Sequence, residues 1–223
     1  MANLLITIDG PAASGKSTVA NLLAEKIGAS FLDTGAMYRA VTLAAMNAGV
    51  DMADEDELLR VIRSSDFEFK AGPGKTRVSL DGTDVTDRIR TPDVTANARY
   101  AASAPKVRAM LVQMQRKAAE SHEKIVTEGR DQGTVVFADA DFKFFLTADA
   151  EERARRRQAE LADTAKEQDV EDTRRAIEAR DKSDRDRQVG PLKPAEDAII
   201  IDTTTLTIEQ VVDKLAGIIG DKV

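Results

Sequence analysis

The 223-residue chain contains no cysteine and only one histidine, His122. Without Cys there is no disulfide scaffold, no Cys-ligated zinc site and no thiol nucleophile. With a single His, a Ser-His triad or a multi-His metal site has little material. Long apolar runs are missing too. The run Leu4-Leu5-Ile6-Thr7-Ile8 stops at Asp9, far short of a membrane span or the core of an export signal. Positive charge is not in excess: 32 Lys+Arg stand against 39 Asp+Glu, a net charge of −7. A whole-protein basic footprint for nucleic acid is therefore absent, while a local basic pocket is not excluded. With no export signal and no Cys, the expected setting is the cytoplasm. What remains is 42% hydrophobic and 32% charged residues. That is enough for one sizeable core with a small insertion, and too little for two ordinary domains.

The first 28 residues show two periods in succession. The run at 4–8 suits a strand buried on both faces. After a glycine-rich turn at 10–15, Val19, Leu22, Leu23 and Ile27 recur at helical spacing, and Gly28 is placed to end the helix. Strand, glycine turn and helix open an α/β fold. Helical patterns follow at about 37–48 and 54–62. Between 66 and 85, Phe67, Phe69, Val78, Leu80 and Val85 alternate with polar residues, and Gly72-Pro73-Gly74 and Asp81-Gly82 supply turns. This predicts a small antiparallel meander inserted into the fold. Val107, Met110, Leu111, Met114 and Ala118 predict another helix. Ile125-Val126, Val135-Val136-Phe137 and residues 142–146 are short apolar segments compatible with strands. Residues 151–187 carry 11 basic and 12 acidic side chains, expected as solvated helix faces with i,i+4 pairs. Residues 198–201 give a last buried strand, and Ile208, Val211, Val212, Leu215, Ile218 and Ile219 a last amphipathic helix closed by Gly220.

Gly10-Pro11-Ala12-Ala13-Ser14-Gly15-Lys16-Ser17 matches GxxxxGK[ST] between a strand and a helix, the context that pattern requires. Glycines let the backbone wrap phosphates, its N–H groups point inward, and the following helix adds its positive end. Lys16 can bridge β- and γ-phosphates, and the Ser17 hydroxyl can ligate Mg²⁺. A plain strand-to-helix turn would not select that Lys and Ser. The pattern points to a nucleoside triphosphate and is silent about the acceptor. In residues 33–39, Asp33 or Thr34 can cap a helix, while Arg39 and the Thr34 hydroxyl suit a second phosphate. Residues 128–134, Glu-Gly-Arg-Asp-Gln-Gly-Thr, sit where α/β enzymes place ligand loops; a surface salt-bridge turn is the other reading. Arg153 and Arg157 share a helix face and can converge on one phosphate chain, although a solvated role suits any single Arg there. His122 reads as a surface residue at a helix end.

Together these motifs resemble the bacterial cytidylate (CMP) kinases, a branch of the nucleoside monophosphate kinases. The resemblance rests on ITIDGPAASGKST (6–18), LDTGAMYRAVT (32–42), PKVR (105–108) and EGRDQGTVVF (128–137). FFLTADAEERARRR (144–157), RDKSDRDRQVGPL (180–192) and the tail DTTTLTIEQVV complete it. It implies a single P-loop kinase domain over 1–223, with a five-stranded parallel sheet and helices on both faces. It also implies a monophosphate-binding region at 34–104, including a β insertion at about 66–90, and a mobile helical lid at 151–187. The implied reaction is ATP + (d)CMP → ADP + (d)CDP with Mg²⁺, in pyrimidine nucleotide metabolism. Gly10, Pro11, Ala12, Ala13, Ser14, Gly15, Lys16, Ser17 and Thr18 would hold ATP with the lid residues Arg153 and Arg157, Arg156 being the alternative lid arginine, and Ser17 the metal. Thr34, Tyr38, Arg39, Arg108, Arg130, Asp131, Asp184 and Arg187 would line the CMP pocket, with Lys16, Arg130 and Arg187 catalytic. A cytoplasmic monomer that binds neither nucleic acid nor membrane is the family expectation. Where many relatives carry a Ser that helps read cytosine, this chain has Arg99; either Ser103 takes over or that contact is reduced.

Other readings lack their marks. A regulatory GTPase needs NKxD and DxxG motifs, and a transporter ATPase a Ser-Gly-Gly signature; none is present. Another small-substrate kinase (adenylate or shikimate) and a catalytically silent nucleotide-binding module remain as rivals. Phosphoryl transfer needs in-line positioning and neutralised charge, with no strong base. A chain with one His and no Cys can perform it.

Overall fold

A computed structural model describes residues 4–72, 74–162 and 170–220, the side chains of 161 and 162 excepted. In chain order the strands are β1 (Leu4–Asp9), β2 (Ser30–Asp33), β3 (Phe67–Lys70), β4 (Arg77–Leu80), β5 (Thr83–Asp84), β6 (Lys124–Gly129), β7 (Phe142–Thr147) and β8 (Ile199–Asp202). The helices are α1 (Lys16–Lys26), α2 (Thr34–Ala48), α3 (Glu55–Ser64), α4 (Pro92–Ser103), α5 (Pro105–Glu120), α6 (Ala150–Ala162), α7 (Val170–Arg185) and α8 (Ile208–Ile219).

The apolar run of β1 is buried because it is the central strand of a parallel sheet ordered β2-β6-β1-β7-β8. Alternate residues serve two layers. Ile6, Ile8, Val126, Phe144, Leu146 and Ile201 pack against α1 and α8 through Val19, Leu23, Val211 and Leu215. Leu32 and Ile125 face the other side, against Met37 and Val41 of α2, Leu58 of α3 and Leu111 of α5. Helices thus cover both faces, as an α/β sheet of this kind requires. The doubly covered sheet is the expected one except at β8, where the sequence predicts a buried strand: as the outer strand beside β7 it buries only Ile201 and leaves Ile199 and Ile200 exposed.

Caps explain the helix starts. Asp33 is the N-cap of α2, its carboxylate accepting the Ala36 N–H at 2.9 Å, so the helix begins three residues before the apolar pattern does. Asp54 caps α3 in the same way. Gly28, in the left-handed region at φ 65°, lies just past the end of α1.

Strands β3-β4-β5 form the expected antiparallel meander; of its turn residues, Pro73 lies outside the described residues. The meander docks on β2. Phe31 and Gly72 exchange backbone hydrogen bonds of 3.2 and 3.3 Å. The Thr76 hydroxyl accepts from the Asp33 N–H (2.7 Å) and donates to the Phe31 carbonyl (3.1 Å).

Val135-Val136-Phe137 is not a strand. It belongs to a π-helical turn at Gln132–Val136. The cause is distant in sequence: both oxygens of Asp9 accept N–H groups at the start of that turn, from Gln132 (2.9 Å) and Gly133 (2.8 Å). The charged stretch forms α6 and α7, and its residues 163–169 lie outside the described residues. Its surface pairs are those expected, such as Arg155–Glu151 and Arg156–Glu152 at i,i+4. A buried stripe runs through it nonetheless: Arg153, Ala154, Thr173, Ile177, Asp181 and Asp184. No helix among the described residues is long and apolar enough to cross a membrane.

Candidate active site

The carboxyl end of β1 runs into the loop at 10–15, and the ends of β2 and β6 open beside it. This is where an open α/β sheet leaves a crevice for ligands. Gly10 passes so close to β7 that a Cβ would collide with the Leu146 carbonyl. Ala13 sits in the left-handed region at φ 58°, uncommon for a residue with a Cβ. The Ser14 hydroxyl is buried without a partner; Thr18 is exposed on the first turn of α1. Lys16 is buried against the loop, its Nζ donating to the Pro11 carbonyl at 3.1 Å. Burial, with help from Arg130, pushes its ammonium down to about 7. Arg180 adds further positive charge nearby. A cation so poorly compensated calls for an anionic ligand.

Ser17 donates to the buried Glu128 carboxylate at 3.0 Å. Burial and the neighbouring Asp33 carboxylate raise Glu128 above the ordinary carboxylate range. A hydroxyl beside a carboxylate is an oxygen donor set that suits Mg²⁺. No cluster of three or more acidic or His groups exists among the described residues. An ion here would therefore take most of its ligands from water and phosphate, the usual habit of Mg²⁺.

On the far side of the crevice, the Asp33 carboxylate holds two guanidiniums, Arg39 at 2.9 Å and Arg90 at 2.8 Å. Burial opposes ionisation, but these two cations hold Asp33 below its usual range. The Thr34 hydroxyl donates to the Glu128 carbonyl at 2.7 Å. Arg108 of α5 and Asp131 form an ion pair with side chains 3% and 5% exposed. The Gly190 backbone is seated over this pair, where any Cβ would collide with both partners. Tyr38 lies under Arg108, its ring centroid 5.6 Å from the guanidinium carbon, and burial pushes its hydroxyl up to about 12. Asp184 of α7 accepts from Arg130 at 2.8 Å and from Arg187. Burial opposes it, yet these arginines keep Asp184 ionised below its usual range. The Nε atoms of Arg39, Arg108 and Arg187 are buried with no hydrogen-bond partner. Three orphaned guanidinium donors are what a polar anionic ligand would satisfy.

The lid arginines part company. Arg153 is 7% exposed and spends its donors on the Ala148 and Ala12 carbonyls (both 3.1 Å) and on Asp181. Arg157 pairs with Glu160 at 2.9 Å. Arg156, the alternative lid arginine, reaches the Thr203 carbonyl at 2.6 Å beside Gly15. The two do not converge on one point here. His122 pairs with Ser30 at 2.9 Å. Arg99 is exposed on α4, stacked over Tyr100 at 5.0 Å, and lines one cleft with Ser103, Met52 and Ser183. Sequence reasoning missed Glu128, Arg90, Asp9, Arg180 and Asp181. Glu128 stood inside a quoted motif without a task; Asp181 looked like any acidic residue in a charged helix.

A family model described as cytidylate kinase matches residues 6–221. The cytidylate kinase of Desulfitobacterium hafniense is 44% identical over 221 residues, covering 99% of this chain and 94% of that protein. The cytidylate kinase of Carboxydothermus hydrogenoformans is 46% identical over 217 residues, 97% of each chain. The crystal structure of an uncharacterized protein from Eubacterium ventriosum shares the fold, with a TM-score of 0.52, 14% identity and coverage of 97% and 98%. Because the family match runs from β1 to the end of α8, it takes in both halves of the crevice, and the chain belongs to the cytidylate kinase family.

Proposed function

We propose that this chain transfers the γ-phosphoryl group of ATP to CMP and dCMP, giving ADP and CDP or dCDP, within pyrimidine nucleotide metabolism. The observation that carries the reading is a cationic crevice with two ends. Lys16 and the glycine-rich loop stand at one, and Arg39, Arg108, Arg130 and Arg187 with three orphaned guanidinium donors at the other.

On this reading residues 10–18 wrap the ATP phosphates, and Lys16 leaves the Pro11 carbonyl for the β- and γ-phosphate oxygens. Mg²⁺, held by Ser17 with Glu128 behind it, would neutralise triphosphate charge. The monophosphate of CMP takes the donors of Thr34 and Arg39. Arg130 and Arg187 then stand where negative charge gathers between donor and acceptor. As a dianion, the CMP phosphate supplies its own nucleophilic oxygen, so no general base is needed, and rate comes from alignment and charge neutralisation. Arg108 and Asp131, supported by Tyr38, read the base. Cytosine offers a donor at N4 and an acceptor at N3, which suit a carboxylate and a guanidinium in that order. Residues 34–104 form the acceptor region and 151–187 the lid, whose closure keeps water from the γ-phosphate. Work as a cytoplasmic monomer belongs to the same proposal.

One coupled assay of ADP formation tests it, run in parallel with CMP, UMP, AMP and shikimate. CMP should be preferred, with dCMP accepted. Turnover with AMP or shikimate in place of CMP would overturn the reading.

A further inference from the structure

Ala12 lies inside the glycine-rich loop, yet both its polar backbone groups are taken by side chains of the charged stretch. Its N–H donates to Asp181 Oδ1 of α7 at 2.9 Å, and its carbonyl accepts from Arg153 of α6 at 3.1 Å. Arg153 and Asp181 are themselves paired, and Asp181 is only 1% exposed. Ala12 also packs against Ala154 and Ile177, which lie on α6 and α7. The next residue is Ala13 at φ 58°. Such a conformation persists in a residue with a Cβ only where its surroundings over-determine it. Here the surroundings come from the two helices of the charged stretch.

The same helix has a second hold. Three residues on from Asp181, one turn away, Asp184 grips Arg130 and Arg187. A single turn of α7 therefore touches both ends of the crevice.

We propose that Asp181 is a positioning residue through which α7 sets the shape of the ATP loop, and that Arg153 serves this clamp and does not touch phosphate. This rests on the reading that the loop takes ATP and the arginine pocket takes CMP. An acceptor that engages the arginines held by Asp184 fixes α7 against the loop and so completes the loop's geometry. Binding at one end then favours binding at the other, and the linkage is reciprocal.

The test is calorimetric binding of a non-hydrolysable ATP analogue with Mg²⁺, and of CMP, each alone and in the presence of the other. The wild-type chain should show positive coupling of at least ~5-fold. In Asp181→Ala the analogue should bind ~10- to 100-fold more weakly, the range for losing a charge-assisted hydrogen bond. Coupling should fall to about 1, while CMP affinity without the analogue stays within ~2-fold. Asp181→Asn keeps an acceptor for the Ala12 N–H and should recover part of the affinity; it also serves if the Ala variant fails to fold. A folded variant that binds both ligands more weakly by the same factor would overturn the assignment. So would unchanged analogue affinity or coupling in folded Asp181→Asn and Asp181→Ala. A wild-type chain that binds neither nucleotide overturns the underlying reading and this inference with it. One that binds both while the variants match it overturns the clamp alone.

Discussion

Removing Asp131 leaves Arg108 with no counter-charge at a site where its side chain is 3% exposed. Breaking a buried pair by deleting one partner costs about 3–5 kcal/mol, because the surviving charge stays desolvated. For a domain of this size each kcal/mol moves Tm by roughly 2–4 °C. Asp131→Ala should therefore melt about 6–20 °C below the wild type. The double variant Arg108→Met/Asp131→Ala removes the stranded charge as well, and should be more stable than Asp131→Ala alone. Gly190→Ala attacks the same pair from outside, since a Cβ there collides with both partners and its φ of +61° already disfavours one. Scanning calorimetry on these three variants and on Arg108→Met is the assay. An Asp131→Ala protein within 2 °C of the wild type, or a double variant whose loss equals the sum of its single losses, would refute the reasoning.

Four further outcomes are expected, in turnover, binding, specificity and exchange. Lys16→Ala should lose at least ~10²-fold in kcat while staying folded, the scale for a positioned charge; a folded variant with unchanged kcat would remove Lys16 from the chemistry. The Lys16 ammonium titrates near 7 in the free protein, and triphosphate binding raises that value, so the lysine's contribution is full below pH 7 and fades as pH rises. ATP binding at pH 8 should accordingly take up a proton, seen as a buffer-dependent calorimetric heat that vanishes in Lys16→Ala; a heat independent of buffer refutes it. Asp131→Ala should shrink the CMP:UMP ratio of kcat/KM by about five- to 150-fold, because a carboxylate accepts from N4 of cytosine and repels O4 of uracil. Equal loss on both nucleotides would mean that Asp131 only steadies Arg108. Hydrogen exchange in α6 and α7 should slow when both nucleotides are bound; equal protection without them would contradict a closing lid.

Local rules made much of the fold legible. The short apolar run at 4–8, and helical spacing at Val19 and Leu23, report burial directly, and both elements formed where read. The loop at 10–17 was legible because its residue types serve one chemistry. What stayed hidden depends on partners far along the chain. Val135-Val136-Phe137 has the composition of a strand, and a short apolar run does not reveal its period. The carboxylate that coils the turn before it, Asp9, is 123 residues from Gln132. Arg153 and Arg157 share a helix face by arithmetic, yet Asp181, 28 residues on, draws one of them inward. Arg90 was invisible as a partner of Asp33 because only the folded meander carries it there, across 57 residues.

The meander has a second consequence, unconnected with nucleotides. Strand β2 is an outer strand of the parallel sheet, and its free side would present bare N–H and C=O groups to any passing chain. Gly72 and the Thr76 hydroxyl occupy those groups at Phe31 and Asp33. The insertion is thus also an edge guard against intermolecular strand addition. Shortening it would strip that cover, so a trimmed chain would become prone to self-association before any question of catalysis arose.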